Sequence, residues 1–257
     1  MLSIALGKHM HPLTTLVCGD IPTEGAVREI LLHLGQSFDR LIIKTQALRV
    51  PTGNVDLILF GPYLGRAALE VALTAMVARF DPYRVLAIRR SQLSGTYNLE
   101  SRNLLAFSWA ADVQGKGKHK EWDAITGVED AQRALLCSHF HDLFWEEAFI
   151  KMLDATQDLP GGEWMARLRK TEPRGFTTRN RTEAAKIYSE LSKAVHHEFV
   201  IDPTAQFDVL TVNDLIDRTW ELIATLGLTA CYCPALRRLV DKEPIEFYMQ
   251  AETELTQ

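Results

Sequence analysis

His196, His197 and Glu198 are the residues of this chain best suited to moving protons, since an imidazole with a pKa near about 6.5 can give or take a proton at neutral pH. They lie near the end of the stretch Arg181 to Phe199. Within it Tyr188, Leu191, Ser192, Val195 and His196 recur at helical spacing and line one face. Polar groups on an otherwise apolar stripe either find partners inside the protein or open onto a site. Successive helical side chains point about 100° apart, so His196 is expected inward and hydrogen-bonded and His197 outward, an arrangement that favours a structural role. Arg66 and Glu70 sit four apart on a second helix and can pair with each other. The candidates for catalysis are therefore His196, His197, Arg66 and Glu70, and a structural ion pair is the simpler reading of the last two.

A second kind of chemistry is phosphate binding. Arg167, Arg169, Lys170, Arg174, Arg179 and Arg181 crowd one stretch whose acids before Arg181 reduce to Glu172, and Trp164 and Phe176 supply stacking surface nearby. Cations interleaved with aromatic rings are what single-stranded nucleic acid uses. The competing reading is a solvated loop or a face for an acidic protein, since arginine is also enriched at protein interfaces.

Metal and nucleotide signatures are incomplete. His139, His141 and Asp142, followed by Glu146 and Glu147, are the best metal candidates, but on a continuous helix they leave the ligand set unfinished. No metal or other cofactor is expected, and the stretch reads as a polar helix face. Cys231 and Cys233 are too closely spaced for a zinc knuckle and read, with Cys18 and Cys137, as core thiols. Gly115 and Gly117 lack the lysine-serine signature of a phosphate loop, and no Gly-x-Ser-x-Gly elbow occurs.

Tyr188-x-x-Leu191-Ser192-x-x-Val195-His196, taken with Arg66-x-x-x-Glu70 on a helix of small residues, resembles bacterial helical proteins of the abortive-infection and HEPN-like kind. The resemblance covers two helices. It implies a helical bundle, often dimeric, of a defence or toxin system, with RNA as ligand and, in many members, metal-independent cleavage by an Arg followed after four to six residues by His. Here the pattern departs: Lys193 precedes His196 and His197, and no arginine stands at that distance. Arg28 with His33 and Arg133 with His139 satisfy the spacing, but roughly two such matches arise by chance. On a continuous helix neither pair would converge, lying about 140° and about 120° apart.

The elements that must position these groups are helical. Asp20 and Pro22 offer a start for a helix carrying Ile30, Leu34, Phe38 and Leu41 to about Leu48. A nearly all-apolar helix follows, from Asp56 or from Gly61-Pro62 to Asp81, with Ala67, Ala68, Ala72, Ala75 and Ala78 allowing close approach. Asp81 and Pro82 cap the next helix. Others are expected at Arg102 to Ala111, from Thr126 to Ala155 with Leu136, Phe140, Leu143 and Phe144 inward, around Trp164 to Lys170, from an Asn180 cap, and over Leu215 to Gly227. The first twenty residues read as an irregular arm or short strand. The fold class is an all-α bundle of about seven to nine helices with basic connecting loops, one domain over 1–257, with 159–162 as the place for any subdivision.

Composition fits this reading. Apolar residues are 47% and charged residues 24%, ordinary globular usage, and the net charge of −5 leaves only local patches for anions. No apolar run that reads as a membrane span and no secretion signal is apparent, so the expected setting is the cytoplasm, without membrane association. RNA and a protein partner or second copy are the expected ligands.

Overall fold

In the computed structural model, residues 10–49, 54–94, 109–114, 134–193, 207–236 and 243–256 are described. They form an all-α bundle, and no strand occurs among the described residues. The helices are α1 (Pro12–Cys18), α2 (Ala26–Leu48), α3 (Asn54–Phe80), α4 (Pro82–Gln92), α5 (Glu146–Thr156), α6 (Glu163–Arg169), α7 (Phe176–Lys193), α8 (Val209–Cys231) and α9 (Glu243–Leu255). Two wider π-helical turns, Trp109–Gln114 and His141–Trp145, supplement them, the second joined to α5 and preceded by the single α turn Ser138–Phe140.

Helix α3 is the axis, packed against α1, α2, α4, α7 and α8. Ala68, Ala72, Ala75 and Ala78 are buried, so partners approach its backbone closely. Its segment Val55–Phe80 is long and apolar enough to span a bilayer by length and composition. Burial of Leu69, Leu73 and Met76 among the surrounding helices is, however, the position of a bundle core. Pro62 lies inside α3, so the earlier of the two expected starts holds. At α4 the expected cap is present: the Asp81 carboxylate accepts from the Arg84 N–H at 3.0 Å, with Pro82 as the first helical residue.

The expected irregular arm is instead a buried helix. Leu13, Leu16 and Val17 of α1 are fully enclosed against α2, α3, α8 and α9. Seven residues are too few to show a helical period, and tertiary packing supplies the stability that an isolated helix of that length lacks. Its start is satisfied by the adjacent His11 and its end by a distant side chain. His11 caps the start, its Nδ1 accepting from the Leu13 N–H at 3.1 Å, while Nε2 faces Glu254 Oε2 at 3.1 Å. Arg79 of α3 closes the other end, donating from Nη1 to the carbonyls of Leu16 and Val17 at 2.9 and 3.1 Å.

Other boundaries also move. Gly227 does not end α8, which runs on to Cys231; a Cβ there would fall 3.1 Å from Leu16 Cβ, so this glycine lets α8 lie against α1. Helix α7 starts at Phe176, and Asn180 sits inside it, donating to the Phe176 carbonyl at 2.8 Å rather than capping. Leu143, expected inward, is 64% exposed, while Trp145 is fully buried and donates to the Leu135 carbonyl at 2.7 Å. The π turn accounts for this, because one added residue per turn rotates the inward face. Helix α9 has no counterpart in the expected elements. Of the helix expected at Arg102 to Ala111, residues 102–108 lie outside the described residues, as does the cap at Thr126, and the described end belongs to the π turn Trp109–Gln114.

The break at 159–162 is bridged by side chains. Arg169 donates to the carbonyls of Thr156 and Leu159, and the Glu252 carboxylate of α9 accepts from the Trp164 N–H at 2.9 Å at the start of α6. A Cβ on Gly162 would collide with that carboxylate, at 2.3 Å from Oε1.

Replacing Arg79 with methionine keeps the apolar stem and strands the two α1 carbonyls; the expected loss is about 2 to 4 kcal/mol in urea unfolding. A second expectation concerns pH. Burial outweighs the attraction of Glu254 and Asp39 and holds the His11 pKa below its ordinary value. The unfolded chain therefore takes up this proton first, and stability present above about pH 6.5 is lost as the pH falls toward the lowered folded value. His11→Asn should flatten that part of the melting temperature's pH dependence.

Candidate functional site

Arg66 and Glu70 come together as the sequence indicates, and Tyr188 joins them from α7. Arg66 Nε donates to Glu70 Oε1 at 3.1 Å and Nη2 donates to the Tyr188 hydroxyl at 2.7 Å, with the guanidinium carbon 4.6 Å from the Tyr188 ring centre. Trp109, on the first π turn, lies flat on the Tyr188 ring, with centroids 4.5 Å apart and planes 7° from parallel. Burial, then the negative Glu70, push the Tyr188 pKa up against the opposing pull of Arg66, so the phenol stays protonated at neutral pH. Ser192 donates to the Tyr188 carbonyl at 2.6 Å, the local back-bond expected of serine within a helix. The polar stripe is thus satisfied over Tyr188 and Ser192. His196 and His197 lie outside the described residues.

The basic stretch divides by function. Arg167 is clamped by Glu221 of α8, with Nε to Oε1 at 2.7 Å and Nη2 to Oε2 at 2.9 Å, and also meets Glu163 at 3.4 Å. Arg169 holds the carbonyls of the 156–159 turn. Arg179 folds the loop before α7 onto itself, donating to the Glu172 carbonyl and, at 2.7 Å, to that of Arg174. Lys170, Arg174 and Arg181 are not engaged by any described acidic group, and Lys170 and Arg174 are exposed.

Arg218 of α8 was not among the expected residues, yet it is the hub of the adjoining charge network. It reaches Glu183 at 2.7 Å and Glu190 at 3.4 Å on α7, and Asp214 at 3.4 Å on its own helix. Only the i,i+4 spacing of Asp214 and Arg218 signals this pairing in sequence; the α7 partners are remote along the chain. Arg167, Arg179, Arg218, Glu183 and Glu221 line a recess of about 250 Å³ between α6, α7 and α8. A larger recess of about 480 Å³ between α2, α3 and α4 is mainly apolar, with His33 and the Glu29–Arg89 pair among its lining residues.

Cys18, Cys137, Cys231 and Cys233, read as core thiols, are all buried. Burial raises the Cys18 pKa to about 12 and also raises those of Cys231 and Cys233, leaving them protonated and poorly nucleophilic. The metal candidates are brought closer than a continuous helix allows: His141 Nε2 stands 3.5 Å from Glu146 Oε2. The side chain of His139 lies outside the described residues.

Comparisons with protein-family models, with curated proteins and with solved structures give no significant match to this chain.

Tyr188→Phe retains the ring stack and removes the oxygen that Arg66 reaches. Its expected cost is about 1 kcal/mol in urea unfolding, with little change in Trp109 emission.

Proposed function

We propose that this protein binds RNA through the connection between α6 and α7, as the HEPN-like resemblance suggests, in a bacterial defence or toxin setting. The observation that carries the reading is the set Lys170, Arg174 and Arg181, whose charges are not consumed by described acids while neighbouring arginines fix the loop that presents them. Arg179 holds the carbonyls of 172 and 174 and so tightens the turn on which Arg174 stands. A cation on a constrained loop loses less freedom on meeting a phosphate than one on a loose chain. Metal-independent cleavage, the stronger form of this reading, rests on His196 and His197. In it Arg66 and Glu70 are positioning groups, since both are already committed around Tyr188.

A second reading, a non-enzymatic helical adaptor for an acidic protein or a second copy, draws on the internal use of Arg167, Arg169 and Arg179. The two separate in one experiment. Titration of labelled single-stranded RNA at several salt concentrations should give affinity that falls with salt, by about 0.7 in the log–log slope per phosphate contact. Replacing Lys170, Arg174 and Arg181 together with alanine should lower that slope by about 2. Arg167→Ala should weaken the fold more than the binding. Absence of salt-sensitive binding assigns the adaptor reading. Cleavage that survives chelation and disappears in His196→Ala or His197→Ala assigns the ribonuclease.

A further inference from the structure

We propose that His141, Asp142 and Glu146 form a binding site for a divalent transition-metal ion of the zinc or manganese class. The placement depends on the π turn. In a continuous α-helix residues 141 and 146 would point about 140° apart. The wider turn over His141–Trp145, whose hydrogen bonds run from i to i+5, returns position 146 to the side of position 141. His141 Nε2 and Glu146 Oε2 are 3.5 Å apart, and one ligand atom from each of the three residues lies within 4.8 Å of the others. Two donors each about 2.0 to 2.2 Å from one ion in tetrahedral geometry stand about 3.4 Å apart, so the histidine–glutamate pair is already at ligand spacing. The Asp142 side chain is exposed and that of Glu146 is 42% exposed, so both are free to close the remaining gap.

The imidazole is held from behind. His141 Nδ1 lies 2.8 Å from the hydroxyl of Thr177 on α7, and Thr177 is only 3% exposed. With Nδ1–H donating to that hydroxyl, the Nε2 lone pair faces the Glu146 carboxylate. Two electron-rich groups then converge at a spacing that a cation between them would stabilise. An orienting hydrogen bond on the far ring nitrogen is the usual companion of a ligating histidine. One nitrogen and two carboxylate oxygens suit zinc or manganese and leave coordination positions for water. Cys18, Cys231 and Cys233 are buried with raised thiol pKa values, which makes them poor competitors.

The test is calorimetric titration of the full chain, first stripped with chelator and exchanged into buffer, using Zn²⁺, Mn²⁺ and Mg²⁺ separately. The expected result is one equivalent of Zn²⁺ or Mn²⁺ bound more tightly than Mg²⁺. Asp142→Asn and Glu146→Gln, at solvent-accessible side chains, should each weaken it by at least about tenfold with unchanged far-ultraviolet circular dichroism, and the positioning variant Thr177→Val by about 10- to 100-fold. No saturable binding overturns the proposal. So does binding of undiminished affinity in folded Asp142→Asn and Glu146→Gln, or Mg²⁺ binding as tight as Zn²⁺.

Discussion

The guanidinium of Arg79 on the last carbonyls of α1 is the interaction on which the bundle depends. A helix of seven residues leaves most of its backbone groups without partners inside itself, and burying such an element is unfavourable unless other parts of the chain supply them. His11 and Arg79 do so from opposite ends, while Thr14 donates to Asp39 at 2.5 Å and ties α1 to α2. With its polar groups matched, α1 can fill the space between α2, α3, α8 and α9 with Leu13, Leu16 and Val17. The packing of the larger helices follows from that plug. The long apolar helix would otherwise have no neighbour across this part of its surface.

Charge on the other side of the molecule is organised by the same economy of partners. Arg167 and Arg218 join α6 and α7 to α8 through Glu221, Glu183 and Glu190. These contacts are partly exposed, so each contributes little to stability and more to the angle at which the helices meet. Their consequence is selective: the cations that remain available stand on the connection between α6 and α7 and at the start of α7. An arginine-rich run and a set of uncommitted cations are therefore different things here, and the second, Lys170, Arg174 and Arg181, is half the size of the first.

What could be read from sequence was whatever is local and repeated. The i,i+4 spacing of Arg66 and Glu70, the Asp81-Pro82 start of α4 and the all-round apolarity of α3 each depend on a few neighbouring residues, and each is found as expected. Tyr188 could be placed on a stripe, but not beside Arg66 or under Trp109, because those contacts join separate elements. Helix α1 was too short to show a period, and Asn180 has the chemistry of a cap but an internal place. The π turn was illegible for another reason. It changes the period itself, so counting by 3.6 turned Leu143 inward and carried Glu146 away from His141.

The position of α1 also bears on the order in which this protein can be made. Its partners at α8 and α9 lie about two hundred residues downstream, between Val209 and Leu255. During synthesis the apolar face of Pro12–Cys18 is complete long before the helices that cover it exist, and closing so long a loop slows the search for them. Nascent α2 and α3 can shelter that face only in part. Helices that emerge late are thus the ones that seal one that emerges early.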